Sequence, residues 1–381
     1  PTLSALYNLL TYTEQFDNAY WTKINSTVVA NAVTAPDGTT TADSILETAT
    51  TTIHGVGRTT STQIPTVSGV AYTASFYVKA NGRNYCLIYT NAGTLGKYFD
   101  ITPGGGGSVL GNYGSGPTSA SILYVGNDWY RCSITFNSTG TSTTAEAYAS
   151  DTGSNISYAG DITKGFYIWG ADFRPANQSA IPYQRVAASG AYDSDPTLFP
   201  YYLKFNGSSS SMATNSIDFS ATDKMTVWAG VRKASDAGIN SISELGTSFL
   251  GSFTVFGSVS GNPNYGFGDA SSGSVYQTGS TPNSFAAPVT NVLAGSWDLS
   301  QATMANQIKG RVNAVARTLS FGGAGTPSGN FMNGALYIGA RGGSSLYFTG
   351  NIYSMIVRGA ASDAGQISSG EYYVNSKTKA Y

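Results

Sequence analysis

Strict alternation of apolar and polar side chains recurs along this chain, and it restricts the fold more than any other feature. In AYTASFYVKA, Tyr72, Ala74, Phe76 and Val78 fall on one side, and Thr73, Ser75, Tyr77 and Lys79 on the other. DWYRCSITF sets Tyr130, Cys132, Ile134 and Phe136 against Trp129, Arg131, Ser133 and Thr135. In MTVWAGVRK, Met225, Val227, Ala229 and Val231 alternate with Thr226, Trp228, Gly230 and Arg232, and ALYIGAR and NIYSMIVRG repeat the pattern. A period of two belongs to a strand with one face on a core. GFYIWGADF is apolar on both faces, as a central strand covered on both sides would be. APDG at 35–38, ANGRN at 80–84, PGGGG at 103–107 and VGND at 125–128 supply the turns. The spacing predicts one helix, at the end: Asp363 is a good N-cap ahead of Ala364, Ile367, Glu371 and Val374.

One stretch breaks the pattern. RPANQSAIPYQRVAASGAYDSDPTLFPYY, from Arg174 to Tyr202, holds Pro175, Pro182, Pro196 and Pro200 and keeps neither a strand nor a helix period. It divides the 381 residues into β-rich halves of similar length, each large enough for its own core. The expected architecture is all-β, two β-sandwich (jelly-roll) domains in tandem. The first covers 1–187, a linker covers 188–200, and the second covers 201–381 with its short C-terminal helix. The halves are not repeats of one another.

Composition narrows the function. Charged residues make up 11% and the formal net charge is −1, so the basic footprint of a nucleic-acid binder is missing. No run of 18 apolar residues exists, so no membrane insertion is expected. No basic segment followed by an apolar core opens the chain, and Pro1 fits either loss of an initiator Met or a piece of a longer protein. Cys86 and Cys132 both lie on expected strands, and strand phase leaves open whether they are bridged or are two buried thiols.

The order of phrases carries a resemblance. NLLTYTEQFDNAYWTK, APDGTTTAD, YTASFYVKA, VGNDWYRCSITF and GFYIWGADF together resemble a recurrent domain of bacteriophage virion proteins. That domain is similar to the galactose-binding-like jelly-roll carbohydrate-binding modules. In the second half, Phe205-Asn206-Gly207, Tyr337-Ile338-Gly339 with Arg341, Phe348 to Gly350, and Arg358-Gly359 resemble the opening and closing phrases of concanavalin A-like or laminin-G-like domains. The resemblance implies a non-enzymatic phage structural protein on the virion surface, hence extracellular, in a tail, fibre or head appendage. It would contact other phage structural proteins and a host-surface glycan, as a homo-oligomer with a trimer favoured. Two other readings stand beside it: a glycan-binding module of an extracellular bacterial carbohydrate-active protein, and a decoration or assembly protein with no ligand. No cofactor is required by any of these. Modules of the first type often carry a structural Ca2+, which the resemblance would place at Asp172 in the last strand, with Asp17 in the opening phrase.

The residues themselves argue against catalysis. His54 is the single histidine and has no evident nucleophile and acid around it. The five glutamates, Glu14, Glu47, Glu146, Glu244 and Glu371, are scattered, with no closely spaced carboxylates on one strand for glycoside hydrolysis. PGGGG lacks the Lys and helix of a phosphate-binding loop. Sugar binding demands less: an aromatic face for the ring, and amides, carboxylates or Arg for the hydroxyls. In the first half Arg83, Asn84, Tyr85, Tyr89 and Tyr113 offer these, although Tyr85 and Tyr89 share a face with Leu87 and serve equally well as core. The glycan is expected on that first-half set; in the second half Tyr265, Asp269 and Tyr276, expected on loops, form a reserve site with Arg341, whose alternative is a structural stacking role.

Overall fold

The computed structural model describes residues 1–178, 181–247, 251–272 and 274–381, with the side chain of residue 272 left aside. The alternating segments are strands, and they build two β-sandwiches in tandem, each of two antiparallel sheets. One unit is Leu6–Phe199; the other is Pro200–Tyr381 together with Pro1–Ala5.

In the first sandwich one six-stranded sheet contains Ser119–Gly126, Trp129–Asn137, Ala71–Asn81, Gly165–Pro175, Ala42–Glu47 and Ser26–Val33, in that spatial order. The facing sheet runs Ser108–Gly114, Leu95–Asp100, Tyr85–Thr90, Ala145–Ser150, Gly55–Arg58 and Thr22–Ile24. Tyr72, Ala74, Phe76 and Val78 meet Tyr130, Cys132, Ile134 and Phe136 in the core, as the alternation requires. Full burial of such side chains contributes roughly 1.5–3 kcal/mol each. Gly165–Pro175 is covered on both faces: Phe166, Ile168 and Phe173 lie in the core, and Trp169 packs outside with Trp129 and Tyr183. Cys86 and Cys132 are free, buried thiols. Burial, with a hydrogen bond to Cys86, pushes the Cys132 thiol well above its usual range.

The stretch read as a linker is mostly built into this sandwich. Arg174 forms an ion pair with Asp172 and donates to the carbonyls of Ile181 and Pro182. Gln184 is fully buried; its Oε1 accepts from the amides of Tyr7 and Asn8, and its Nε2 donates to Asp193 O. Val186–Ala188 and Ala191–Tyr192 form a small hairpin, and Phe199 is buried. Residues 179 and 180 lie outside the described residues. The expected boundaries of 1–187 and 188–200 therefore shift: side-chain hydrogen bonds absorb the Pro- and Ser-rich segment, and composition does not reveal them.

The second sandwich stacks two seven-stranded sheets. The inner sheet runs Thr2–Ser4, Tyr202–Asn206, Thr349–Arg358, Lys224–Lys233, Val289–Asp298, Ile308–Val312 and Val315–Arg317. The outer sheet runs Met212–Asp218, Asn333–Ile338, Asn240–Leu245, Ser252–Ser258, Gly266–Ser272, Val275–Ser280 and Ser320–Ala324. Met225, Val227, Ala229 and Val231 face the core with Phe253, Val255, Phe267 and Trp297. The strand Thr2–Ser4, expected in the first domain, pairs antiparallel with Tyr202–Lys204 at the edge of the second. Helix Ala364–Thr378 starts on Asp363, whose side chain accepts from Gln366 N while Gln366 Oε1 accepts from Asp363 N. It covers Trp228, Val292 and Ala294 on the far face of the inner sheet.

Candidate functional site

The outer sheet of the second sandwich carries a trough on the face away from the core. Alternation puts Phe253, Val255 and Phe267 inside and Ser252, Thr254, Phe256, Gly268 and Ala270 outside. Strand register then assembles the site. Glu244, Thr254, Gly268 and Thr278 stand opposite one another across four strands, and Ser252, Ala270 and Tyr276 make the neighbouring row. Small residues in the middle of both rows leave the concavity, a cavity of about 370 Å³. A Cβ on Gly268 would come within 3.0 Å of the Phe256 ring, so the glycine lets that ring lie against the floor. Tyr276, 43% exposed, and Ile239 form the rim.

Arg341 closes the trough from the turn after the strand Asn333–Ile338, where its amide donates to Ser345 O and its carbonyl accepts from Ser344 N. Its guanidinium lies 5.7 Å from the Phe256 ring centroid, and its Nε donates to Glu244 Oε1 at 3.0 Å and Oε2 at 2.9 Å. The Glu244 side chain is 2% exposed. Burial raises its pKa, and Arg341 and Thr254 oppose that rise.

Of the second-half candidates, Asp269, Tyr276 and Arg341 all line this trough. Asp269 and Tyr276 sit on strands rather than loops, because GNPNYGFGDASSGSVYQ folds as a hairpin; residue 273 within it lies outside the described residues. Asp269 contributes to the floor, but alternation turns its side chain inward. There Gln277 Nε2 donates to its Oδ2 at 3.3 Å, and among the described residues no donor reaches its buried Oδ1. Burial pushes this carboxyl up to about 7. Tyr265 is fully buried, with Asn291 donating to its hydroxyl and the Lys233 ammonium 4.5 Å from its ring. It is a core residue, which removes it from the candidates. Phe256 and Glu244 were missed: the signal in the sequence is the alternation of GSFTVFGS, but register is needed to bring these strands together.

The first-half candidates separate. Tyr89 and Tyr113 meet edge-on with centroids 5.7 Å apart, above Leu87, Tyr98 and Tyr148. The spaces beside them are filled, since Glu146 lies over Gly57 and Tyr113 over Gly96. Both tyrosines are half-buried. Tyr85 stands at the far end of the same strand, and Asn84 is exposed in the turn before it. Arg83 is structural: its Nε and NH2 hold Glu47 at 2.7 and 2.8 Å, and Glu47 also accepts from Tyr158 OH and Asp161 N. That pair explains the correction, because an Arg clamped to a saturated carboxylate has little left for a sugar.

The Ca2+ expectation meets two obstacles. Asp172 is committed to Arg174, and Asp17 lies in a different polar hollow with Glu14, Asn31 and Asp43. In the loop that carries Asp17, the Lys23 ammonium already takes the carbonyls of Asp17, Asn18 and Trp21 at 2.7, 2.6 and 3.1 Å. Among the described residues no group of three or more His, Cys, Asp or Glu side chains is placed to hold a metal ion. The two aspartates thus do not fit one Ca2+ site.

Fold and site together define a two-sandwich β-protein with a partly aromatic trough on one outer sheet. No family model and no curated protein matches the chain. Solved structures are similar to it only at low identity. A heptameric pentraxin from Limulus polyphemus is 13% identical over 46% of this chain and 82% of its own, with a TM-score of 0.35. The CBM40 of the Ruminococcus gnavus IT-sialidase, bound to α2,3-sialyllactose, is 15% identical over 42% of this chain and 97% of its own, at 0.31. Domains LG4-5 of the mouse laminin α1 chain are 12% identical over 80% of this chain and 89% of their own, at 0.31. At such scores the site itself has to carry any functional reading.

Proposed function

We propose that the protein binds a saccharide, without catalysis, in the trough of the second sandwich. The observation that carries this is the placement of Phe256, Tyr276 and Arg341 around a floor of Gly268 and Ala270. The exposed Tyr276 ring offers an apolar face to the C–H face of a pyranose, with the buried Phe256 ring behind it under Arg341, and the Thr278 hydroxyl and the guanidinium offer polar partners. The carboxylates nearby are engaged elsewhere: Glu244 with Arg341, and Asp269 with Gln277 beneath the floor. That leaves no facing carboxylate pair for hydrolysis. Glycan-array binding followed by titration calorimetry of the best ligand tests the reading. Tyr276→Ala, at an exposed position, is expected to weaken binding about tenfold without unfolding the protein. Unchanged affinity would remove the trough from consideration.

The finer reading is a virion-surface protein that adheres to host polysaccharide. Its support is the resemblance of the first half's phrases to phage virion domains, and its test is whether the chain is found in purified particles. Weak single-site binding suits that setting, because many copies on one particle multiply it without any new contact.

A further inference from the structure

The trough is electrically balanced, and this limits what it accepts. Arg341 is the one cation among the described residues that line it. Its charge is shared with Glu244, which is buried against it with both oxygens about Arg341 Nε. A guanidinium already neutralised by a buried carboxylate presents hydrogen-bond donors but little net field to an incoming anion. The acidic residue among the described lining residues is Asp269, whose side chain lies below the floor, so its ionisation adds only negative potential. What else the trough offers is the hydroxyl groups of Tyr276 and Thr278, with the buried Ser252 and Thr254 on its floor.

We propose that the trough selects uncharged saccharides over uronic or sialic acid sugars, and that Glu244 is the positioning residue that sets this choice. It does so by holding Arg341 as an oriented donor instead of a bare cation. The proposal rests on the saccharide-binding reading above and adds the class of sugar. A sugar carboxylate brought to this site would meet the Glu244 charge as well as the Arg341 charge, and would give up its own hydration without a net cation to replace it.

The test uses the full chain on an array of neutral hexose and N-acetylhexosamine oligosaccharides beside uronate and sialylated oligosaccharides of equal length. The wild type is expected to hold neutral sugars about tenfold more tightly than acidic ones. Glu244→Gln takes the carboxylate charge away from Arg341, and the ratio of acidic to neutral binding should rise about tenfold. Adding Arg341→Gln to that variant should abolish the rise. A wild type that prefers acidic sugars overturns the inference and leaves saccharide binding standing. So does a folded Glu244→Gln protein with unchanged selectivity. Binding to no sugar at all overturns the underlying reading instead. If Glu244→Gln does not fold, direct competition of a neutral against an acidic oligosaccharide for the wild type decides the matter alone.

Discussion

At the scale of single residues, one buried carboxyl under the trough gives a pH-dependent signature. Asp269 has its carboxyl raised from 3.8 to about 7 by burial, which outweighs the hydrogen bonds from Gln277 and from its own backbone amide. The folded protein therefore keeps this proton over a range in which the unfolded chain has lost it. Stability from this group is complete below about pH 4, falls as pH rises towards 7, and is level above that. Asp269→Asn removes the titration and the cost of burying this charge. Urea unfolding across pH 4–8 should show the variant less pH-dependent than the parent and more stable at pH 8, by at most about 4 kcal/mol. A parent whose stability rises between pH 4 and 7 by the same amount as the variant's would contradict this. Residue-level reading of the sequence picked Asp269, Tyr276 and Arg341 by chemical type, and all three line one cavity. The same reasoning picked Arg83 and Tyr265, and failed because type says nothing of partners: Glu47 claims one and the core claims the other.

At the scale of elements, alternation made the strands legible, while their pairing was not. Nothing in the sequence states that Glu244 faces Thr254, or that Tyr276 stands beside Ala270. Those neighbours come from register, which turns and bulges fix locally. The terminal helix was legible, since Asp363 and the spacing after it define the start. Its docking depends on a detail outside any periodicity. Gly370 lies flat on Trp228, where a Cβ would fall 2.5 Å from the indole, and Trp228 Nε1 donates to Ile367 O at 3.1 Å. Gly370→Val should force the helix off this surface at a cost of about 1–3 kcal/mol. Tyr372→Ala on the open side of the same helix should change stability by less than about 0.5 kcal/mol. Denaturant midpoints of the two variants compare them directly; equal effects would mean that the helix is not seated as described.

At the scale of the whole molecule, the two sandwiches do not simply follow one another. Residues 2–4 pair with 202–204, so the first sandwich is inserted between the opening strand of the second and the rest of it. Removing residues 1–5 should lower amide-exchange protection along Tyr202–Asn206 while leaving Ala71–Asn81 unaffected, as read by hydrogen exchange with mass spectrometry. Loss of protection in Ala71–Asn81 alone would reverse the assignment of that opening strand. Composition marked the Pro-rich stretch from Arg174 to Tyr202, most of which the first sandwich absorbs, and gave no sign of the crossover near 5, because three residues are too few to show a pattern. The insertion makes the second sandwich a host and the first its guest. Ser4 and Tyr202 are paired neighbours on adjacent strands, so the host's two open ends lie about 5 Å apart. Any compact domain whose own ends lie that close can occupy the same berth, which makes this junction a natural point for exchanging one module for another while the trough-bearing host is kept.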